Sequence, residues 1–166
     1  MKYTYIPSPI GRLMLASDGE AITGLTMEVN QYGPEVEEGW QQDDELPLFK
    51  RAKTQLEEYF AGKRTTFDLP LKMIGTDFQK RVWQELERIP FGETISYQEL
   101  AKRVGSEKAS RAVGQANGHN PVSIFVPCHR VINASGKLGG YGGGLPRKEF
   151  LLELEQKQAN LFSHAQ

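Results

Sequence analysis

The segment richest in chemistry is Pro127-Cys128-His129-Arg130-Val131, and Cys128 is the single cysteine of the 166-residue chain. A thiol is a good nucleophile only as thiolate, and a free cysteine is mostly protonated near neutral pH. Lowering its pKa by two or three units takes roughly 3–4 kcal/mol of preferential thiolate stabilisation. A histidine relay and local cations could supply it. Adjacent side chains seldom face each other, so His129 would serve Cys128 through a bridging water. A buried structural cysteine beside an incidental histidine is the competing reading, and the segment alone leaves both open. One cysteine excludes an intrachain disulfide and a cysteine-rich zinc site. His119, His129 and His164 lack the spacing of a zinc finger or an H-E-x-x-H site. No metal and no cofactor is expected.

Two further segments carry chemistry less sharply. Lys108–Gly118 reads as a helix rich in small residues, with Ala109, Ala112 and Gly114 around a single Arg111. A recognition helix usually puts long polar side chains into the major groove. Small residues instead allow close approach to the minor groove, with one basic side chain pushed into the base stack. The same composition also suits a helix packed tightly against other helices. Gly139-Gly140-Tyr141-Gly142-Gly143-Gly144 matches neither the P-loop nor G-x-G-x-x-G. It is either a flexible loop or one that lets the backbone approach a flat ligand, with Tyr141 as a wall.

The elements that must position these residues fall into two parts. Lys2–Ile6, Arg12–Ser17 and Ala21–Glu28 alternate as short strands, with Asp18-Gly19 as a hairpin turn. Gly33-Pro34 and the acidic run through Glu45 read as a solvated loop. Leu48–Phe60 has the spacing of an amphipathic helix closed by Gly62, and Thr65–Leu69 reads as a returning strand. After a linker at Pro70–Gly75 the signals turn helical. Thr76 and Gln79 form one capping box, Ser96 and Glu99 another, and Ser106 caps a helix over Glu107–Gly118. Two short helices joined by a tight turn make a helix-turn-helix. Pro146 opens a last helix over Arg147–Glu155. The fold class is α+β: a small antiparallel sheet with a helix over 1–73, then a mainly helical part over 74–166.

Composition fits a globular chain, with 25% charged and 39% hydrophobic residues. No apolar run would span a bilayer, and the N-terminus lacks the features of a signal peptide, so a cytoplasmic protein is expected. The net charge of −1 is unevenly spread. Residues 1–75 hold 8 basic against 12 acidic residues, a net of −4, and residues 76–166 hold 12 against 9, a net of +3. Locally clustered positive charge is what nucleic acid attracts. A monomer is expected, since no oligomer seam is visible.

Taken together, the segments form a series: Ile95-Ser96-Tyr97-Gln98-Glu99-Leu100-Ala101, Ala109-Ser110-Arg111-Ala112-Val113-Gly114, Asn117-Gly118-His119-Asn120-Pro121, Val126-Pro127-Cys128-His129-Arg130-Val131-Ile132, Gly140-Tyr141-Gly142-Gly143-Gly144 and Arg147-Lys148-Glu149-Phe150-Leu151-Leu152. In order and spacing, from about Thr76 to Glu155, it resembles the O6-alkylguanine-DNA alkyltransferase family. The N-terminal half resembles that family only in size and strand-helix pattern.

The resemblance implies a single-turnover repair protein. It would act on double-stranded DNA holding O6-alkylguanine, with O4-alkylthymine as a further candidate. It makes Cys128 the alkyl acceptor, His129 the base acting through water, and Glu155 the partner of that histidine. Tyr97 would donate toward N3 of the leaving guanine. Arg111 would fill the gap left by the extruded base, Asn120 would brace the helix-turn-helix against the active-site loop, and Val131, Tyr141 and Gly142 would line the base pocket. Lys148 would neutralise charge nearby. Gly142 falls where some relatives carry a hydroxyl residue, which implies a looser pocket. A non-enzymatic alkyltransferase-like lesion binder is the nearest rival, and such proteins lack the acceptor cysteine. A sequence-specific regulator would need base-reading side chains that Ala109, Ala112, Gly114 and Ala116 cannot supply. A thiol peptidase would need a His and an Asn or Asp arranged around Cys128.

Overall fold

The computed structural model describes residues 1–28 and 35–164. The N-terminal half opens with strands β1 (Lys2–Ile6), β2 (Leu13–Ser17) and β3 (Ile22–Met27), close to their expected bounds. β1 and β2 pair antiparallel from Lys2↔Ser17 to Ile6↔Leu13, and β2 pairs antiparallel with β3. The β2–β3 turn works as its sequence requires. Asp18 Oδ1 accepts from the Glu20 and Ala21 amides, and Gly19 takes φ +101°. Gly33-Pro34 lie outside the described residues. The acidic run beyond them is not loop throughout. Gln41–Gln42 form β4, parallel to β1, so the sheet order is β3-β2-β1-β4.

Helix α1 (Pro47–Phe60) carries Pro47 in its first turn and ends at Gly62, which takes φ +76° and donates to Tyr59 O while Lys63 donates to Glu58 O. Phe49, Ala52, Leu56 and Tyr59 are its buried stripe. The strand expected at Thr65–Leu69 does not form. Side chains of α1 take the backbone groups a ladder would use: Gln55 Nε2 donates to Asp68 O at 3.0 Å and Asp68 N to Gln55 Oε1 at 2.9 Å. Sheet contact begins later, where Ile22 N donates to Pro70 O and Lys72 N to Ile22 O.

In the C-terminal half, α2 (Asp77–Leu86) has the full reciprocal capping box of Thr76 and Gln79. Strand β5 (Ile95–Ser96) leads into α3 (Tyr97–Arg103), where Ser96 Oγ accepts from Glu99 N but the Glu99 carboxylate turns to Arg103. Gly105, at φ +77°, makes the turn to α4 (Ser110–Gly118). α4 starts later than its sequence suggests. The Ser106 carbonyl accepts from Ala109 N in a separate turn, so Ser106 does not cap the helix. Trp83, buried on α2, donates its indole N–H to Ala116 O at 2.8 Å and fixes α4 from behind. A 3-10 turn over Cys128–Arg130 runs into β6 (Val131–Ile132), parallel to β5. α5 is longer than expected, Leu145–His164.

The two halves share a core and a strand edge. Leu25 N of β3 donates to Pro121 O at 2.9 Å, and Leu25 bridges to Val122. Phe67 meets Phe125 edge-on at 5.0 Å. Among the described residues no helix is long and apolar enough to cross a membrane.

Candidate active site and nucleic-acid interface

Asn120, just past α4, fixes the loop that carries the cysteine. Its Oδ1 accepts from Val122 N at 3.0 Å and its Nδ2 donates to Val126 O at 2.7 Å. Asn117, on α4 itself, adds a bond from Nδ2 to Cys128 O at 3.3 Å. Helix and cysteine turn are therefore held together by two asparagines. Sequence reasoning singled out Asn120 alone. Between them Ile124 takes φ +75°, a conformation L-residues rarely adopt.

Cys128 is 3% exposed. Burial pushes its thiol up, while the Asn120 and Ser123 side chains and the Lys148 ammonium pull the other way and do not prevail. The resting site thus holds a protonated thiol, so the histidine and the local cation do not outweigh burial in the resting protein. Behind it, His129 (0% exposed) gives Nε2 to Glu155 Oε2 at 2.7 Å. A carboxylate only accepts, so Nε2 carries the hydrogen, and in the neutral ring Nδ1 has a lone pair. Nδ1 is buried, and among the described residues nothing hydrogen-bonds it.

Glu155 is the hub of this cluster. Arg130 Nε reaches its Oε1 at 2.8 Å and Arg130 Nη2 its Oε2 at 3.1 Å, while Tyr59 Oη donates to Oε2 at 2.5 Å. Burial alone would raise the carboxyl. The His129 and Arg130 partners outweigh it and hold Glu155 well below the usual carboxylate range. Neither Tyr59 nor Arg130 was legible as a site residue. Tyr59 lies 96 positions from Glu155, on a helix whose pattern shows only a buried stripe.

One cavity of about 370 Å³ opens beside the thiol. Its lining includes Tyr97, Arg111, Gly114, Cys128, Tyr141 and Gly142, and its size suits a small planar ligand. Tyr97 Oη lies 3.5 Å from Gly140 O, and burial, then the nearby Cys128, raises its pKa, so it stays a donor at neutral pH. Burial holds the Tyr141 hydroxyl protonated too. Gly143 packs so closely that a Cβ would meet Met27 Sδ and the Tyr141 ring. Val131 and Lys148 stand behind this wall. Lys148 is fully buried, and its Nζ donates to Val131 O at 2.6 Å, to Leu138 O, and to Gly140 O at 3.1 Å. Burial lowers its pKa to about 8.

On the outer side of α4, Arg111 and Ala112 are exposed and Gly114 half-buried, while Val113, Ala116 and Asn117 face inward. Ala109 precedes the helix. The small residues thus divide between both expectations: Ala116 packs inside, and Ala112 and Gly114 leave a smooth face around Arg111.

Fold and site define a helix-turn-helix protein with its single thiol set in a base-sized pocket. The DNA-binding domain of 6-O-methylguanine DNA methyltransferases matches residues 77–157, and the ribonuclease-like domain of the same proteins matches residues 1–73. A methylated-DNA–protein-cysteine methyltransferase of Mycobacterium bovis is 54% identical over 95% of this chain and 93% of its own. One from Methanosarcina acetivorans is 50% identical over 93% and 98%. The crystal structure of Mycobacterium tuberculosis OGT in complex with DNA superposes with a TM-score of 0.88 at 52% identity, over 95% of this chain and 94% of that one. The chain belongs to the 6-O-methylguanine DNA methyltransferase family.

Proposed function

We propose that the protein repairs double-stranded DNA by moving the alkyl group of O6-alkylguanine onto its own Cys128, once per molecule. The observation that carries this is the cavity shared by Cys128, Tyr97 and Arg111 at the foot of α4. The reacting carbon is buried in a stacked duplex, so the nucleotide must turn out into the pocket, at a cost of a few kcal/mol. The smooth face of Ala109, Ala112 and Gly114 allows α4 to lie in the minor groove. Arg111 at the pocket rim fills the vacated stack.

The buried thiol must lose its proton as substrate binds. His129 Nδ1 has the lone pair to take it through a water, and Glu155 steadies the resulting imidazolium. Cys128 Sγ then bonds to the alkyl carbon as the carbon–O6 bond breaks. The guanine leaves with the bonding pair, with Tyr97 donating toward N3, and the thiol proton stays on His129. The product is a thioether. With no second cysteine in the chain to displace it, the molecule is spent. Lys148 keeps the pocket loop in place, and Val131, Tyr141 and Gly142 shape the space for the base. O4-alkylthymine is a second substrate for the same displacement. No cofactor or metal enters. Residues 1–73 and 74–166 act as two units of one cytoplasmic monomer.

The test is intact mass after incubation with a duplex carrying one O6-methylguanine, beside Cys128→Ala. A gain of one methylene, once per chain and only on the wild type, is expected. Binding without mass gain would make the protein a lesion binder instead.

A further inference from the structure

The catalytic pair sits in the C-terminal half, yet the shortest bond to its carboxylate comes from the other half. Tyr59 Oη, on α1, lies 2.5 Å from Glu155 Oε2, the same oxygen that takes His129 Nε2 at 2.7 Å. Tyr59 is 1% exposed and packed edge-on against Phe60 and Phe91, so its hydroxyl has little freedom to point elsewhere. We propose that Tyr59 is a positioning residue of the transfer reaction: by sharing Glu155 Oε2 with His129, it fixes the carboxylate and limits how strongly the imidazole is held. This rests on the alkyl-transfer reading above.

The groups facing Glu155 are His129 and Arg130 from the cysteine turn, Tyr59 from α1 and, further off, Tyr141 from the glycine loop. Arg130 spans both oxygens and is also tied to Ile89 O at 2.6 Å, so it holds the carboxylate plane. Tyr59 is the uncharged donor of the set. Losing its hydroxyl leaves Oε2 less satisfied and more basic, and the carboxylate then holds the protonated imidazole more tightly. Transfer would then set in at a higher pH.

The experiment is the rate of methyl transfer against pH for wild type and Tyr59→Phe, with transfer stoichiometry and lesion-duplex affinity measured on the same samples. Tyr59→Phe should still take one methyl per chain and bind the duplex equally well. The acid limb of its rate profile should move up by about half a pH unit, and the rate below that limb should fall several-fold. A fluorinated tyrosine at position 59, a stronger donor of nearly the same shape, should move the limb down. In a Glu155→Gln background Tyr59→Phe should not move it at all. One methyl per chain with an unmoved limb in both Tyr59 variants would overturn the proposal alone. A wild type that accepts no methyl would overturn the transfer reading and this proposal with it.

Discussion

Glu155 is a negative charge inside the protein, kept there by Arg130, His129 and Tyr59. Removing one member of a buried charge cluster strands the others, which costs roughly 3–5 kcal/mol. Glu155→Ala should therefore lower the unfolding free energy measured by urea denaturation by that much, and a loss under about 1 kcal/mol would contradict the burial. The pH dependence has a definite sign. The folded carboxyl lies below its unfolded value of about 4.3, so its contribution is full above that pH and is lost as pH falls toward the folded value. Stability measured between pH 6 and 3 should drop more steeply for wild type than for Glu155→Gln. Of these residues, Cys128, His129 and Glu155 were legible because a short motif carries the first two and the family resemblance the third. Tyr59 was not, because on a helix of period 3.6 an aromatic at a buried position is indistinguishable from core.

At the scale of elements, the glycine loop and α4 make the site. Lys148 ties the loop, at Gly140 O, to Leu138 O and Val131 O, and an ammonium has three hydrogens to give where the neutral amine has two. With the folded pKa lowered to about 8, the unfolded chain binds more protons above that pH, so global stability should rise with pH there. Alkyl transfer should instead fall as the third donor is lost. Opposite trends of denaturation midpoint and transfer rate between pH 7.5 and 9.5 are expected; a rate that climbs throughout would remove Lys148 from this role. On α4, Ala112→Glu puts bulk and negative charge on the exposed face without touching the core. It should weaken duplex binding by about tenfold or more while the melting temperature stays put. Equal binding would show that another face meets DNA. The capping box at Thr76 was legible because it is a local exchange of two hydrogen bonds. Gln41–Gln42 was not, because a two-residue strand has no alternation to read and its partner β1 is far away in sequence. Thr65–Leu69 misled because the Asp68 backbone groups a ladder would use are taken instead by the Gln55 side chain of α1.

For the molecule as a whole, the basic excess lies in the half that carries α4 and the acidic excess in the other. That asymmetry orients the chain on a polyanion before any specific contact forms. What sequence could not convey is how far the halves interpenetrate: a strand edge, the aromatic pairs Phe67–Phe125, Tyr59–Phe91 and Phe60–Phe150, the Arg147 guanidinium on Ile10 O and the Tyr59 hydroxyl all cross between them. The outer edge of β3 illustrates the consequence. Its amides are met at Ile22 by Pro70 and at Leu25 by Pro121, which comes from the segment leading to the cysteine. An excised fragment ending at residue 73 would keep the first partner and lose the second, baring an apolar strand edge that templates self-association. The sheet half is thus a poor candidate for separate expression, labelling or fusion, and its colloidal behaviour depends on a stretch of chain nearly fifty residues beyond its end.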